Sequence, residues 1–212
     1  MDPGELSVRD RQGRLQPNAA RRRLRTDLDP ASLRPAPIKD SAPLKLSVQD
    51  GQAMLGELLI RPSERWRHRH GWLQVIAREV LERSSVMDGE NFRRVARQDL
   101  ERMAEAYDQH FFGGLCLSLA RSYGMSFRLS SRMSRAGGKT TRQVFRALRG
   151  RPAAVHYEIA LSTSLLFQSF RKPGDRTRVC GIWCDNRLAA MQRIVEHEMI
   201  HLCEMLVWIH SL

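Results

Sequence analysis

The spacing of apolar positions changes character along the 212-residue chain. The first 50 residues carry scattered apolar positions without a period, six of the nine prolines, no aromatic residue and a basic knot at Arg21-Arg22-Arg23-Leu24-Arg25. Such a stretch cannot bury enough apolar surface to offset ordering, so a disordered basic arm is expected over residues 1–60. Helical spacing then begins. Leu73, Ile76, Ala77 and Val80 form one stripe, which predicts a connecting helix within 61–90. Phe92, Val95, Ala96, Leu100, Met103, Ala104, Tyr107 and Phe111 form a longer one, ending at Gly113-Gly114.

Period two takes over next. Phe127, Leu129 and Met133 alternate with polar residues, Gly137-Gly138 can turn the chain, and Thr140 to Leu148 can run back. Val155, Tyr157, Ile159 and Leu161 alternate with His156, Glu158 and Ala160, completing an expected antiparallel meander. From about Asn186 to Ile209 the helical period returns through Leu188, Met191, Val195, Leu202 and Leu206. Beyond Ile194 that segment is apolar on most sides, which predicts a buried helix. Two helices, a small sheet and a buried helix make an α+β order.

Charge adds one feature. The chain holds 35 Lys+Arg against 23 Asp+Glu, for a net +12. Between Gln109 and Tyr157 there is no acid at all, while Arg121, Arg128, Arg132, Arg135, Lys139, Arg142, Arg146, Arg149 and Arg151 fall there. Alternation would put Arg128, Arg132, Arg135, Lys139, Arg142 and Arg146 on a solvent face able to track phosphates. A solvated face with no partner is the plainer alternative. Few aromatics are interleaved, so stacking on bases is not indicated. Four cysteines are too few for a disulfide scaffold, and neither a secretory signal nor a membrane-length apolar run is seen. An intracellular protein, cytoplasmic or DNA-associated, is expected.

The chemistry-bearing motif is His197-Glu198-Met199-Ile200-His201. Histidines four apart lie about 40° apart around a helix and one turn along it, so both imidazoles reach one side. Neutral imidazole nitrogens bind Zn²⁺, and an intervening carboxylate can take a proton from water. Two hydrogen-bonded core histidines are the alternative. Glu204 shares the face, but lies about 10 Å along the axis from His197 at 1.5 Å per residue. Hydrogen bonding to a ligand imidazole suits it better than ligation; a charge at the rim of a pocket is equally open. His68, His70, His110 and His156 have no spacing that ties them to the pair, and Cys180-Gly-Ile-Trp-Cys184 reads as a structural loop.

Several segments, in order, resemble the SprT-like (spartan-type) zinc metalloproteases: Tyr107-Asp-Gln-His-Phe-Phe-Gly-Gly-Leu115, Ser126 to Met133, Gly137-Gly138-Lys139, Ile159-Ala-Leu-Ser162 and Glu196-His-Glu-Met-Ile-His-Leu202. The resemblance covers roughly residues 90–210. It implies a zincin-like domain over 91–212, with the small sheet packed on the HExxH helix. It also implies His197 and His201 as zinc ligands, Glu198 as catalytic base, and protein substrates held near DNA. The family's third ligand is a histidine well downstream. Here eleven residues follow His201 and only His210 is histidine. A continuing helix would put His210 about 180° away from His201. The expectation is therefore a domain that stops before its third ligand, with weakened zinc binding and activity. Its alternative is an impaired or inactive zincin-like module that binds DNA.

Overall fold

Ser47 opens the first helix of the computed structural model, which describes residues 47–61, 69–147, 152–172 and 174–208, all within the unit Lys39–Leu212. The elements run α1 (Val48–Ile60), α2 (Arg69–Arg83), α3 (Arg97–Tyr107), a π-helical turn (Asp108–Phe112), α4 (Leu115–Tyr123), β1 (Met125–Ser130), β2 (Gly138–Phe145), β3 (Ala154–Ser162), α5 (Thr163–Gln168), β4 (Thr177–Val179), β5 (Ile182–Cys184) and α6 (Arg187–Val207). Helices and a small sheet share one core, in line with the α+β expectation. Among the described residues no helix is long and apolar enough to cross a membrane.

The expected disordered arm reached residue 60, and the structure corrects its end. Residues 48–60 are helical, capped by Ser47, whose Oγ accepts the Asp50 amide at 3.1 Å. Leu55 is fully buried, and Gly51 packs closely on Leu119 of α4. A 13-residue helix, marginal by itself in water, is held by the contacts it makes with α4 and α6. The rest of the arm, with its Arg21–Arg25 knot, lies outside the described residues, as do His68, Arg149, Arg151 and His210.

The long stripe from Phe92 to Phe111 is not one helix. Phe92, Val95 and Ala96 precede α3, and Phe92 is buried from a loop held by Arg187, whose Nη1 donates to the Asn91 and Phe92 carbonyls at 2.9 and 3.2 Å. Gly113 and Gly114 then take left-handed φ values of 65° and 81°, conformations that favour glycine. They fold α4 back so that the Asp108 carboxylate accepts the Cys116 and Leu117 amides at 3.0 and 2.9 Å.

The expected meander is also corrected. The strand order is β1-β3-β2, with β1 parallel to β3 and β2 antiparallel to it. Burial explains the order. From Ile159 to Ser162 successive β3 residues are buried whichever way they point, which suits a central strand; β2, rich in Thr, Arg and Gln, takes the edge. Gly137-Gly138 does not turn the chain between paired strands. Gly138 begins β2, and both glycines lie against α6.

Helix α6 runs through the core. Asn186 caps it, Oδ1 accepting the Ala189 amide at 2.7 Å, and Leu188, Met191, Val195, Met199, Leu202 and Leu206 are buried. Polar contacts fix its rotation. Gln192 Nε2 donates to the Leu73 carbonyl at 2.7 Å, and the Tyr107 hydroxyl donates to the Gln192 carbonyl at 3.2 Å. Arg69 grips Glu196 with two bonds of 2.6 and 2.8 Å, and Arg193 adds a third at 2.8 Å. The residue before His197 is thereby locked to α2.

Candidate metal and catalytic site

The HExxH helix does not bury all three of its polar groups. His197 is exposed and His201 partly so, while Glu198 is 4% exposed. This corrects the expectation of a motif buried as a whole: α6 is covered on most sides, yet the 197–201–204–208 line remains at the surface. The desolvation cost that would demand a metal or partner therefore falls on Glu198 alone.

The two imidazoles converge. Their Nε2 atoms are 3.1 Å apart and their ring planes cross at 80°. On the far side of His201, Nδ1 lies 3.1 Å from Glu204 Oε2. A carboxylate can only accept, so Nδ1 is the donor to Glu204, and in the neutral ring this leaves the Nε2 lone pair toward His197. Two lone pairs cannot face each other at this distance without a proton or a cation between them. Nitrogens bound to zinc at 2.0–2.1 Å with a tetrahedral angle lie about 3.3 Å apart, close to the observed separation. The pair thus fits two ligand positions, and Glu204 sits where a carboxylate orients a ligand imidazole. Among the described residues no group of three or more His, Cys, Asp or Glu side chains is placed to hold a metal together.

Glu198 points elsewhere on α6, into the contact with β2. Its Oε2 accepts from Thr140 Oγ1 at 2.7 Å, and Oε1 lies so near Gly138 that an added Cβ would stand 2.5 Å from it. His197 and Glu198 both line a cleft of about 430 Å³ whose other walls include Gly137, Gly138, Leu165, Phe170, Arg178, Val179, Cys180 and Ile194. The sequence named Gly137-Gly138 and Cys180 on other grounds and did not single out Leu165, Phe170, Arg178 or Val179. Cys180-Gly181 is the two-residue turn of the β4–β5 hairpin, with φ of 48° and 82°, so the segment expected to be a loop is a hairpin bordering the site. Burial, with the Glu198 and Glu196 carboxylates, pushes the Cys180 thiol up from its ordinary value.

The cationic residues separate. Arg128 and Lys139 both pair in register with Ala160 and so share the sheet face away from Thr140, but Arg128 is tied to Glu158 at 2.9 Å. Arg142 is in phase with Gly138 and Thr140, half-buried beside the Tyr157 hydroxyl. It does not belong to a solvent-facing row, because contact with α6 fixes which phase of β2 points inward. Arg132 and Arg135 lie in the β1–β2 connection and Arg146 just beyond β2, all exposed. Among the described residues Arg132, Arg135, Lys139 and Arg146 have no acidic partner. His110 stacks on Trp72 at 4.4 Å and His156 meets Ser126 Oγ at 2.9 Å, neither near the pair in sequence or element.

Comparison with protein-family models, with curated proteins and with solved structures gives no match for this chain.

Proposed function

We propose that the chain is a zincin-like, SprT-like zinc metallopeptidase that hydrolyses peptide bonds of proteins on or near DNA. The observation that carries the reading is the convergence of His197 and His201 Nε2 beside the cleft that Glu198 also lines. His197 and His201 would hold Zn²⁺, with Glu204 fixing the His201 tautomer. Zinc bound there supplies Lewis acidity, making water a nucleophile near neutral pH and polarising a carbonyl.

The chain's own groups do the rest. Glu198 Oε2 is occupied by the Thr140 hydroxyl, whereas Oε1 takes no hydrogen bond among the described residues, so Oε1 is the atom that accepts the proton from water. β2 is an edge strand whose first residue, Gly138, lines the cleft, so an extended peptide added to that edge would run past His197 and Glu198. Arg132, Arg135, Lys139 and Arg146 supply cations for phosphate contacts that carry no sequence preference. These cations, without acidic partners among the described residues, also favour the second reading, a zincin-like module that binds DNA without hydrolysis.

Zinc content per chain, together with cleavage of a DNA-bound protein by wild type and Glu198→Gln, tests the proposal. Stoichiometric zinc with cleavage lost in Glu198→Gln is the expected result. Equal cleavage by both chains sinks it, and salt-dependent DNA affinity without zinc-dependent cleavage selects the second reading.

A further inference from the structure

Glu198 is the most deeply buried of the motif's three polar groups, and its surroundings come from β2 rather than from its own helix. A carboxylate removed from water needs donors, and among the described residues Thr140 Oγ1 is its only one. The same hydroxyl is 3.0 Å from the Glu198 main-chain carbonyl. It therefore lies between the head and the backbone of a single residue and folds the side chain back along α6. With one proton to give, Thr140 favours the charged oxygen, the stronger of the two acceptors. The other carboxylate oxygen is bounded by Gly138. A Cβ there would stand 2.5 Å from Oε1, 2.7 Å from the Glu198 Cγ and 2.5 Å from Ile194 Cγ2. Residues 138 and 140 share one face of β2, so a single strand phase brings the open space and the donor to the two oxygens of one carboxylate.

We infer that β2 sets the attitude of Glu198: Thr140 is its positioning residue, and Gly138 is glycine to leave room for Oε1. Thr140 holds Oε2 so that Oε1 stays free for the proton. That this orientation serves proton transfer rests on the peptidase reading; the orientation itself does not.

The test uses the full chain and three variants, Thr140→Val, Thr140→Ser and Gly138→Ala, with thermal melting to check folding. In metal-free protein, NMR couplings about the Glu198 Cα–Cβ and Cβ–Cγ bonds should report one rotamer in wild type and Thr140→Ser. Averaged or altered values are expected in Thr140→Val and Gly138→Ala. With zinc bound, kcat should fall roughly 10- to 100-fold in Thr140→Val, with KM and zinc content unchanged, and recover in Thr140→Ser. Wild-type couplings in Thr140→Val overturn the inference whether or not the chain cleaves peptides. A kcat loss that serine does not restore overturns the positioning role. If wild type shows no zinc-dependent cleavage, the peptidase reading fails and the couplings alone decide whether β2 orients Glu198.

Discussion

Asp108 offers a measurement in which two opposing physical causes predict opposite signs. It opens the π-helical turn directly after α3, 3% exposed, with its carboxylate accepting the Cys116 and Leu117 amides of the first turn of α4. Burial pushes its pKa up from 3.8 to about 6, against the lowering pull of those two amides and of Arg121. Because folding raises this pKa, the native state keeps a proton that the unfolded chain has already released between about pH 4 and pH 6. The group's contribution to stability is thus fully present below pH 3.8 and is lost as pH rises through about 6. At 1.36 kcal/mol per pKa unit the whole loss is about 3 kcal/mol. Asp108→Asn removes the titration while keeping the shape. It also places one donor against a backbone amide, a pH-independent offset of about 1–2 kcal/mol. Urea denaturation of both proteins from pH 4 to pH 7 should therefore show Asp108→Asn gaining on wild type by about 2.4 kcal/mol across that interval, the rest of the loss falling below pH 4. A constant difference would mean that burial and the amides cancel. Wild type gaining on the variant with rising pH would mean that the two amides outweigh burial, refuting the reasoning.

Three further outcomes are expected. Glu204→Ala should weaken zinc binding about tenfold, the lower end for loss of an imidazole's carboxylate partner because Glu204 is half exposed, as read by chelator competition; unchanged affinity would deny Glu204 its orienting role. Replacing Arg132, Arg135 and Arg146 together with alanine should make the dependence of log K for duplex DNA on log salt shallower by roughly 2–3, at about 0.9 per phosphate contact. Arg142→Ala should leave that slope unchanged, and a larger effect from Arg142 than from the three would contradict the placement. Arg69→Met should destabilise the chain by about 1–3 kcal/mol, because the bidentate bond to Glu196 is lost while Arg193 and solvent still reach the carboxylate. A loss below about 0.3 kcal/mol in urea melts would show that Glu196 needs only Arg193.

Local periodicity alone made several elements legible. The Leu73-Ile76-Val80 stripe is α2, the run from Asn186 is α6, and the alternation through Tyr157, Ile159 and Leu161 is β3, because each carries a repeating apolar face that meets the core. Helical spacing likewise sufficed to bring His197 and His201 together, since four residues is close to one turn whatever surrounds the helix.

Properties that depend on neighbours distant in sequence were not legible. Helix α1 forms because α4 and α6 cover it, and no window over residues 48–60 contains that information. Strand order follows from which strand is buried most fully: Ile159 to Ser162 are buried on either side of β3, so β3 is central, and β1 lies parallel to it. Gly137-Gly138 had the composition of a turn; the close approach of α6, which a side chain would block, is what requires glycine there. The same contact chooses the inward phase of β2. It sends Thr140 to Glu198 and turns Arg142 away from the solvent row that alternation alone had suggested. The sequence by itself determined the pair of histidines and the helix that bears them. Only the packing of an edge strand against that helix decided how the glutamate between them is held, because that contact joins residues 58 apart in the chain.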